Sequence, residues 1–237
     1  MHIDAVLNPA EIALLPQRDL SGVTCVVFDV LRATSSMLTG LAHGAAEIHP
    51  VCTIEEALAL RQRLPDAILG GERNGDLIPG FDIGNSPLEY QEQVRGRRII
   101  TTTTNGTVAL RACEHADRVL VGALLNIGAL AQELTAKAAR KVLLVCAGTF
   151  ETFALEDAYA AGVLIEELAP ATMTDSALTV RTLAAAYPEP LAALKHARNG
   201  QALGVSGRTA DVEWCAQRSK YTVIGQMSAA VIRPLHA

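Results

Sequence analysis

Apolar residues recur along the chain in two patterns, and these patterns predict its elements. Residues 23–28 form a nearly continuous apolar run, which is typical of a strand buried on both faces of a sheet. Residues 34–44 instead place Met37, Leu38 and Leu41 on one face and end at a glycine, which is typical of a helix. The same reasoning predicts strands over 2–7, 47–51, 67–69, 97–102, 118–122 and 141–146, and helices over 53–64, 86–94, 107–115, 127–139 and 154–168.

The last third of the chain has a different pattern. It predicts helices over 174–187, 191–197 and 211–219, a turn over 200–207, and a strand or an extended cover over 221–235. Strands that alternate with helices predict an α/β fold, here a three-layer α/β/α sandwich with a mostly parallel or mixed sheet and a helical C-terminal region. Since no linker separates that region, we expect one domain over 1–237, with 170–237 packed on the rest.

Polar turns follow four of the predicted strands. They cover residues 29–34, 70–74, 102–105 and 148–149. In open α/β sheets, ligands bind beyond the carboxyl ends of the strands. If the sheet is parallel, all four turns lie along one edge, so they predict an active site there.

The segment TTTTNGT, at 101–107, ends one predicted strand and begins the next helix. Its threonines supply hydroxyl groups, and Asn105-Gly106 permits a turn in which backbone N–H groups point inward. A helix that begins there adds unpaired N–H groups, so the segment predicts a site for phosphate, sulfonate or carboxylate. The alternative is a strand followed by a capped helix, and the chain has no Walker motif.

Asp29 closes the 23–28 strand and precedes Arg32 by three residues. A carboxylate at this position can bind a hard cation or act as a nucleophile, whereas the alternative is a helix cap. Arg32 and Arg73 each follow a strand end, where a guanidinium group can bind phosphate or carboxylate as a bidentate fork. Surface ion pairs are the alternative for both arginines.

The long polar loop over 72–87 holds three acids, Glu72, Asp76 and Asp82. Neighbouring acids repel each other unless a cation or an arginine neutralises them. Magnesium binds a few carboxylates together with water and substrate phosphate, so Glu72 and Asp82 are candidate ligands alongside Asp29. Asp76 is interpreted as a solvated loop residue.

Composition argues against several classes of protein. The 237 residues carry a net charge of −5, whereas a nucleic-acid partner usually needs a basic surface. The N-terminus lacks the pattern of a signal peptide and no apolar stretch is long enough to span a bilayer, so we expect a cytoplasmic protein without a membrane partner. Five cysteines without a CxxC pair favour neither a disulfide framework nor a zinc cluster. The sequence motifs of cysteine, histidine and haloacid-dehalogenase-like phosphatases are missing as well.

Five blocks of sequence resemble, in this order, the 2-phosphosulfolactate phosphatase family. They are VVFDVLRATSSM (26–37), GGERNGDLIPGFDIGNSP (70–87), TTTTNGT (101–107), CAGT (146–149) and FALEDAYAAG (153–162). The blocks are spread over most of the chain, and DVEWC at 211–215 is similar to the C-terminal helix of that family. The resemblance implies a three-layer α/β/α fold and a magnesium-dependent hydrolase that releases phosphate from esters of 2-hydroxy carboxylic acids. The substrate for which the family is named, 2-phosphosulfolactate, gives sulfolactate on the way to coenzyme M.

The resemblance marks family positions without assigning their individual roles. Glu156 and Asp157 are among these positions. Together with the reasoning above, it gives the catalytic candidates Asp29, Arg32, Glu72 and Arg73, the substrate-binding candidates Asn85, Ser86, Thr102, Thr103, Thr104, Asn105 and Gly106, and the magnesium ligands Asp29, Glu72 and Asp82.

Two other functions stay open at this point. The same chemistry can act on another phosphorylated 2-hydroxy acid, or the chain can be a non-catalytic anion-binding protein that has kept the fold. The acids argue against the second reading, because pure anion binding needs no carboxylates. A segment poor in polar residues, at 176–194, leads us to expect a homodimer.

Overall fold

The computed structural model describes residues 1–235, and the elements below lie within that range. Its eleven strands are β1 (His2–Val6), β2 (Val23–Phe28), β3 (Glu47–Pro50), β4 (Ile68–Arg73), β5 (Asp76–Leu77), β6 (Arg98–Thr102), β7 (Arg118–Gly122), β8 (Lys141–Cys146), β9 (Thr172–Met173), β10 (Gly225–Ser228) and β11 (Val231–Pro234). Its ten α-helices are α1 (Pro9–Ile12), α2 (Ala33–Ala42), α3 (Ile54–Arg63), α4 (Gly106–Ala112), α5 (Ile127–Ala136), α6 (Leu155–Leu168), α7 (Asp175–Ala186), α8 (Pro190–His196), α9 (Arg198–Val205) and α10 (Thr209–Cys215).

These strands form one mixed sheet, in the order β5-β4-β6-β3-β11-β10-β7-β2-β8-β1-β9. Strands β7, β2, β8, β1 and β9 run parallel to one another, and so do β4, β6 and β3. The hairpin of β10 and β11 lies between these two halves and pairs antiparallel with both β7 and β3. The hairpin therefore reverses the strand direction from one half to the other.

The strands are buried because their residues alternate between apolar cores on the two faces of the sheet. In β2, Val26 and Phe28 belong to one core, whereas Cys25 and Val27 belong to the other. Helices α5, α6 and α7 cover the first core, and α2 and α4 cover the second. A third, smaller core contains Leu69 of β4 and Ile100 of β6. The predicted α/β/α sandwich with a mostly parallel or mixed sheet is confirmed.

The second core also joins the two halves of the sheet. It contains Val27 of β2, Ile99 of β6 and Ile232 of β11, together with Leu110 of α4. The carboxyl ends of β2 and β6 lie close together although the two halves run in opposite directions, since a Cβ on Gly106 would lie 2.6 Å from Asp29 Oδ2.

Two predicted boundaries near the candidate acids were wrong. The strand expected over 67–69 continues to Arg73 and turns back into β5, because residues 72 and 73 pair with 77 and 76. The helix expected over 86–94 is divided into two 3-10 helices, Pro87–Glu89 and Glu92–Val94. Glu72 is therefore a strand residue rather than a loop residue.

In the C-terminal region one prediction was wrong and one of two alternatives was right. The turn expected over 200–207 lies mostly within helix α9. Glycine at position 200 serves packing there, since a Cβ would lie 1.8 Å from the carbonyl oxygen of Leu194. Of the two alternatives for 221–235, the strand is confirmed, since the segment supplies β10 and β11 to the middle of the sheet. Within residues 1–235, no helix combines the length and the apolar character needed to cross a membrane.

Candidate active site

A cavity of about 320 Å³ opens where the turns after β2, β4, β6 and β8 meet. Helix α9 and the segment that follows it form another part of its wall. The polar residues that line the cavity are Asp29, Arg32, Glu72, Asn74, Asp76, Asn85, Thr104, Asn105, Thr149, Asn199, Ser206 and Arg208. The four turns selected from the sequence thus meet at one place, although the sheet is not parallel throughout.

Asp29 is held firmly at the end of β2. Its backbone N–H donates to Thr34 Oγ1 at 3.0 Å, and its Oδ1 accepts from the N–H of Ala33 at 3.0 Å. Within the described chain, its Oδ2 accepts no hydrogen bond. Gly106 makes room for this oxygen, since a Cβ at that position would lie 2.6 Å from it. Asp29 therefore presents one free carboxylate oxygen to the cavity.

Burial raises the pKa of Asp29 from 3.8 to about 7. The hydrogen bond from Ala33 opposes this rise, whereas the negative charges of Glu72 and Glu156 add to it. Burial makes the charged form of Asp29 less favourable than the protonated form. A cation beside Oδ2 would stabilise the charged form.

Glu72 joins two of the turns. Its Oε1 accepts from the N–H of Thr104 at 2.7 Å, and its Oε2 accepts from the N–H of Gly75 at 2.7 Å and from the hydroxyl of Thr104 at 3.2 Å. The N–H of Thr104, which the sequence assigned to an anion, is thus already bonded to a carboxylate. Glu72 fixes the turn after β6 against the turn between β4 and β5.

Arg32 is held by a buried ion pair. Its Nη1 donates to Asp211 Oδ2 at 2.7 Å, with only 5% of each side chain exposed, and its Nη2 donates to the carbonyl oxygen of Gly75 at 2.8 Å. Asp211 is oriented in turn by the hydroxyl of Ser86, which donates to Oδ1 at 2.6 Å. Ser86 therefore acts on the cavity through Asp211 and does not line it.

Asn85 lines the cavity although it is almost fully buried. Its carbonyl oxygen accepts from the hydroxyl of Ser36 at 2.7 Å, which fixes its backbone. Its side-chain amide has no hydrogen-bond partner among residues 1–235. Among residues 1–235, the fully buried side-chain oxygen or nitrogen that lacks a partner is the hydroxyl of Tyr221, so the amide of Asn85 still has access to the cavity and can bind a ligand there.

Most polar groups of the TTTTNGT turn bond other protein groups, whereas the sequence predicted that they bind an anion. Thr102 accepts from Arg73 at 2.9 Å, and Thr103 and Thr107 bond each other at the start of α4. The side-chain amide of Asn105 makes two hydrogen bonds to the backbone of Phe150. Its Nδ2 donates to the carbonyl oxygen at 2.9 Å, and its Oδ1 accepts from the N–H at 2.9 Å. Of the five residues from 102 to 106, Thr104 and Asn105 line the cavity, and Gly106 supplies the space for Asp29.

The side chains of Arg73 and Asp82 do not reach the cavity. Arg73 follows Glu72 on a strand and so points to the other face, where it bonds Thr102 Oγ1. Asp82 accepts from the N–H of Leu69 at 2.8 Å and from Arg61 at 2.9 Å. The structure therefore does not bring Asp82 together with Asp29 and Glu72, because its carboxylate is used to fix its own loop.

Glu156 and Asp157 begin α6 and support the cavity from below. Asp157 accepts from the N–H of Val30 at 2.8 Å and from the N–H of Gly148 at 3.0 Å, which ties the turns after β2 and β8 together. Glu156 accepts from the amide of Asn199 at 2.5 Å. Burial raises the pKa of both carboxyl groups.

The C-terminal region supplies residues that the sequence reasoning missed. Asn199, Ser206 and Arg208 line the cavity, and Asp211 holds Arg32. Their only signal in the sequence was the DVEWC block, which contains Asp211. These residues reach the site through contacts with residues far away in the sequence, and the local pattern of apolar residues does not record such contacts.

The acids present fit a magnesium ion. Within residues 1–235, no group of three or more His, Cys, Asp or Glu side chains is arranged to hold a metal ion by itself. Magnesium commonly binds through one or two carboxylates, with water and substrate phosphate as its remaining ligands. The free Oδ2 of Asp29, with Glu72 on the same wall, matches that requirement.

Comparison with known proteins identifies the family. The family model for 2-phosphosulpholactate phosphatase matches residues 10–229. The chain belongs to this family. The resemblance drawn from the five sequence blocks is confirmed, and with it the expected enzyme class, a phosphoric monoester hydrolase.

Three relatives have the same name, probable 2-phosphosulfolactate phosphatase. The protein from Symbiobacterium thermophilum is 43% identical over 217 residues, which cover 88% of this chain and 93% of that protein. The protein from Deinococcus radiodurans is 42% identical over 216 residues, covering 89% and 90%. The protein from Carboxydothermus hydrogenoformans is 39% identical over 227 residues, covering 94% and 92%. The match therefore extends over nearly the whole of each protein.

Proposed function

We propose that this protein hydrolyses the phosphate ester of a 2-hydroxy carboxylic acid in a magnesium-dependent reaction, with 2-phosphosulfolactate as the substrate. One observation carries the proposal: two polar groups of buried residues, Asp29 Oδ2 and the amide of Asn85, have no partner within the described chain and belong to one cavity. The names of the relatives support the choice of substrate. Its product is sulfolactate, which would place the reaction in coenzyme M biosynthesis.

Arg32 binds the phosphate group in this proposal. Asp211 and Gly75 use two of its five N–H groups, which leaves the others for a ligand. The ion pair holds the guanidinium group in place before the substrate binds. Little free energy is therefore needed to reorient it when negative charge develops on the phosphoryl oxygens. Asn85, which lines the same cavity, donates to the same ligand.

Asp29 and Glu72 would hold the magnesium ion. When bound, the ion neutralises phosphate charge and polarises the phosphoryl group. Glu72 keeps both turns in place through its bonds to Thr104 and Gly75, so its carboxylate is fixed independently of the ion.

Two roles are open to Asp29 in the reaction. As a nucleophile, its Oδ2 attacks phosphorus, the bond to the ester oxygen breaks, and the hydroxy acid leaves with a proton from water; a second water then releases phosphate from the aspartyl phosphate. As a metal ligand, it leaves the attack to water. Acid quenching during turnover distinguishes the two, since only the nucleophile role yields protein-bound phosphate that hydroxylamine removes.

The first test is phosphate release from racemic 2-phosphosulfolactate, with magnesium and with EDTA. We expect release with magnesium and none with EDTA. Asp29→Asn should lower kcat at least ~1,000-fold, since either role of the carboxylate is lost. Asp19→Asn is the matched control, because Asp19 is exposed and lies outside the cavity.

Other outcomes decide between the alternatives. Release from 2-phospholactate or 2-phosphomalate alone would keep the reaction and change the substrate. No release from any of the three esters would favour a non-catalytic anion-binding protein. A wild-type kcat in Asp29→Asn would show that the mechanism is wrong.

A further inference from the structure

We propose that Arg208 binds the acid group of the substrate and so selects phosphorylated acids over simple alkyl phosphates. The inference rests on the proposed function, since it names a second binding group in the same cavity. It concerns the carboxylate that every phosphorylated 2-hydroxy acid carries beside the phosphorylated carbon.

Arg208 is placed in the wall by the segment after α9. Its Nη1 donates to the carbonyl oxygen of Gly75 at 3.0 Å, and its Nη2 donates to Asp76 Oδ1 at 2.7 Å. The side chain is 36% exposed, whereas that of Asp76 is 75% exposed. An ion pair with so exposed a carboxylate contributes little, so a substrate anion can replace Asp76 at low cost.

Arg32 and Arg208 are the two cationic side chains among the described residues that line the cavity. The positive charge of Arg32 is balanced by Asp211, with both side chains buried. The charge of Arg208 has no buried counterpart. Arg208 is therefore the cavity cation whose positive charge is not already balanced by a buried carboxylate.

The two guanidinium groups are neighbours. Arg32 and Arg208 both donate to the carbonyl oxygen of Gly75, at 2.8 Å and 3.0 Å. The phosphate and carboxylate of a 2-phosphorylated acid are attached to one carbon, so adjacent donors suit both groups at once. Because Arg32 follows Asp29 closely along the chain, it takes the phosphate, and Arg208 takes the carboxylate.

Charge balance supports this assignment. The substrate brings a phosphate dianion and a carboxylate into a cavity that already holds Asp29 and Glu72. A magnesium ion at those acids would offset the phosphate but not a carboxylate further out. The amide of Asn199 is already bonded to Thr149 and Glu156, so it is not the group that receives the acid.

The test compares two esters of the same shape. In isopropyl phosphate a methyl group replaces the carboxylate of 2-phospholactate. Arg208→Gln keeps an amide that can still donate to Gly75 but removes the charge. We expect kcat/KM for 2-phospholactate to fall about 10- to 100-fold, the range for a lost hydrogen bond to a charged group, and kcat/KM for isopropyl phosphate to change less than about twofold. Arg208→Lys should recover part of the loss. An equal fall for both esters would overturn the assignment.

A binding measurement separates this inference from the proposed reaction. Calorimetry with inorganic phosphate and, separately, with lactate needs no turnover. We expect Arg208→Gln to bind phosphate as the wild type does and to lose lactate binding. If the wild type hydrolyses no ester, the proposed reaction fails while this comparison still decides the role of Arg208. Equal lactate affinity in the two proteins, or no lactate binding by the wild type, would overturn that role.

Two further variants exclude indirect effects. Asp76→Asn frees Arg208 and should bind lactate at least as well as the wild type; a loss as large as that of Arg208→Gln would show that the ion pair only holds the turn. Arg218→Gln removes another surface pair, with Glu167, from an arginine that is 43% exposed and outside the cavity. A loss of lactate binding there would attribute the effect to net charge and overturn the assignment.

Discussion

Among single residues, Arg32 depends on a partner that is distant in the sequence. Its carboxylate partner Asp211 is 179 positions away in the chain and equally buried. A guanidinium group without that partner would turn within the cavity, and its charge would lack compensation. Asp211 is therefore a positioning residue that acts through Arg32.

Asp211→Asn tests this role, because asparagine keeps an acceptor but loses the charge. We expect kcat/KM for the phosphate ester to fall about 10- to 100-fold, mostly through KM, because a hydrogen bond between charged groups is weakened. In an Arg32→Gln background the same change should add little. Steady-state kinetics of the four proteins measures this, with Glu213→Gln on the same helix as the control. If the fold-loss in kcat/KM of the double variant equals the product of the losses of the two single variants, Asp211 does not act through Arg32.

Among the elements, the β10–β11 hairpin has the largest structural role for its size. It joins the two halves of the sheet, and Ile232 of β11 pairs in register with Ile48 of β3. Ile232 is fully buried in the core that both halves share. The relative position of the turns after β2 and β6, and so of the cavity, depends on this hairpin.

Ile232→Ala should therefore destabilise the fold by about 2–5 kcal/mol, the range for removing a buried isoleucine side chain. Urea unfolding measures the change. Val205→Ala is the control, since Val205 is 93% exposed and its loss should cost less than about 0.5 kcal/mol. A similar small effect for Ile232→Ala would mean that the hairpin does not hold the halves together.

In the whole molecule, acids from distant segments meet under one cavity. Asp29, Glu156 and Asp157 are buried, and burial raises the pKa of each. The folded protein then keeps a proton on Asp29 between about pH 4 and pH 7, where the unfolded chain has released it. The free energy of unfolding must therefore fall as pH rises through this range, and level off above pH 7.

Urea unfolding in EDTA at pH 5 and pH 8 tests this dependence. The wild type should lose more stability between the two than Asp29→Asn does, by up to about 3 kcal/mol, since Asp29 alone accounts for the difference. Glu156 and Asp157 contribute in the same direction to both proteins. An equal loss in the two would show that Asp29 does not hold a proton in the folded state.

The sequence by itself determined the fold class, the family and part of the site. The run at 23–28 and the helix after it follow from periodicity, although α2, like β2, is buried on all sides and not on its apolar face alone. Asp29, Glu72, Thr104 and Asn105 were found because strand ends gather ligands in α/β sheets, whereas Asn85 was found through the family resemblance. The elements follow from local sequence, and the grouping of these site residues follows from the direction in which neighbouring strands run.

Only the tertiary structure decided which side chains share the cavity. Asp82 was predicted to bind magnesium with Asp29 because it shares a polar loop with Glu72. Its hydrogen bonds with Leu69 and Arg61 hold its carboxylate outside the cavity. Arg208 and Asp211 enter the site through contacts that span more than half of the chain. Periodicity records which face of an element is apolar, whereas these contacts depend on where the hairpin and the C-terminal helices pack, which no local pattern contains.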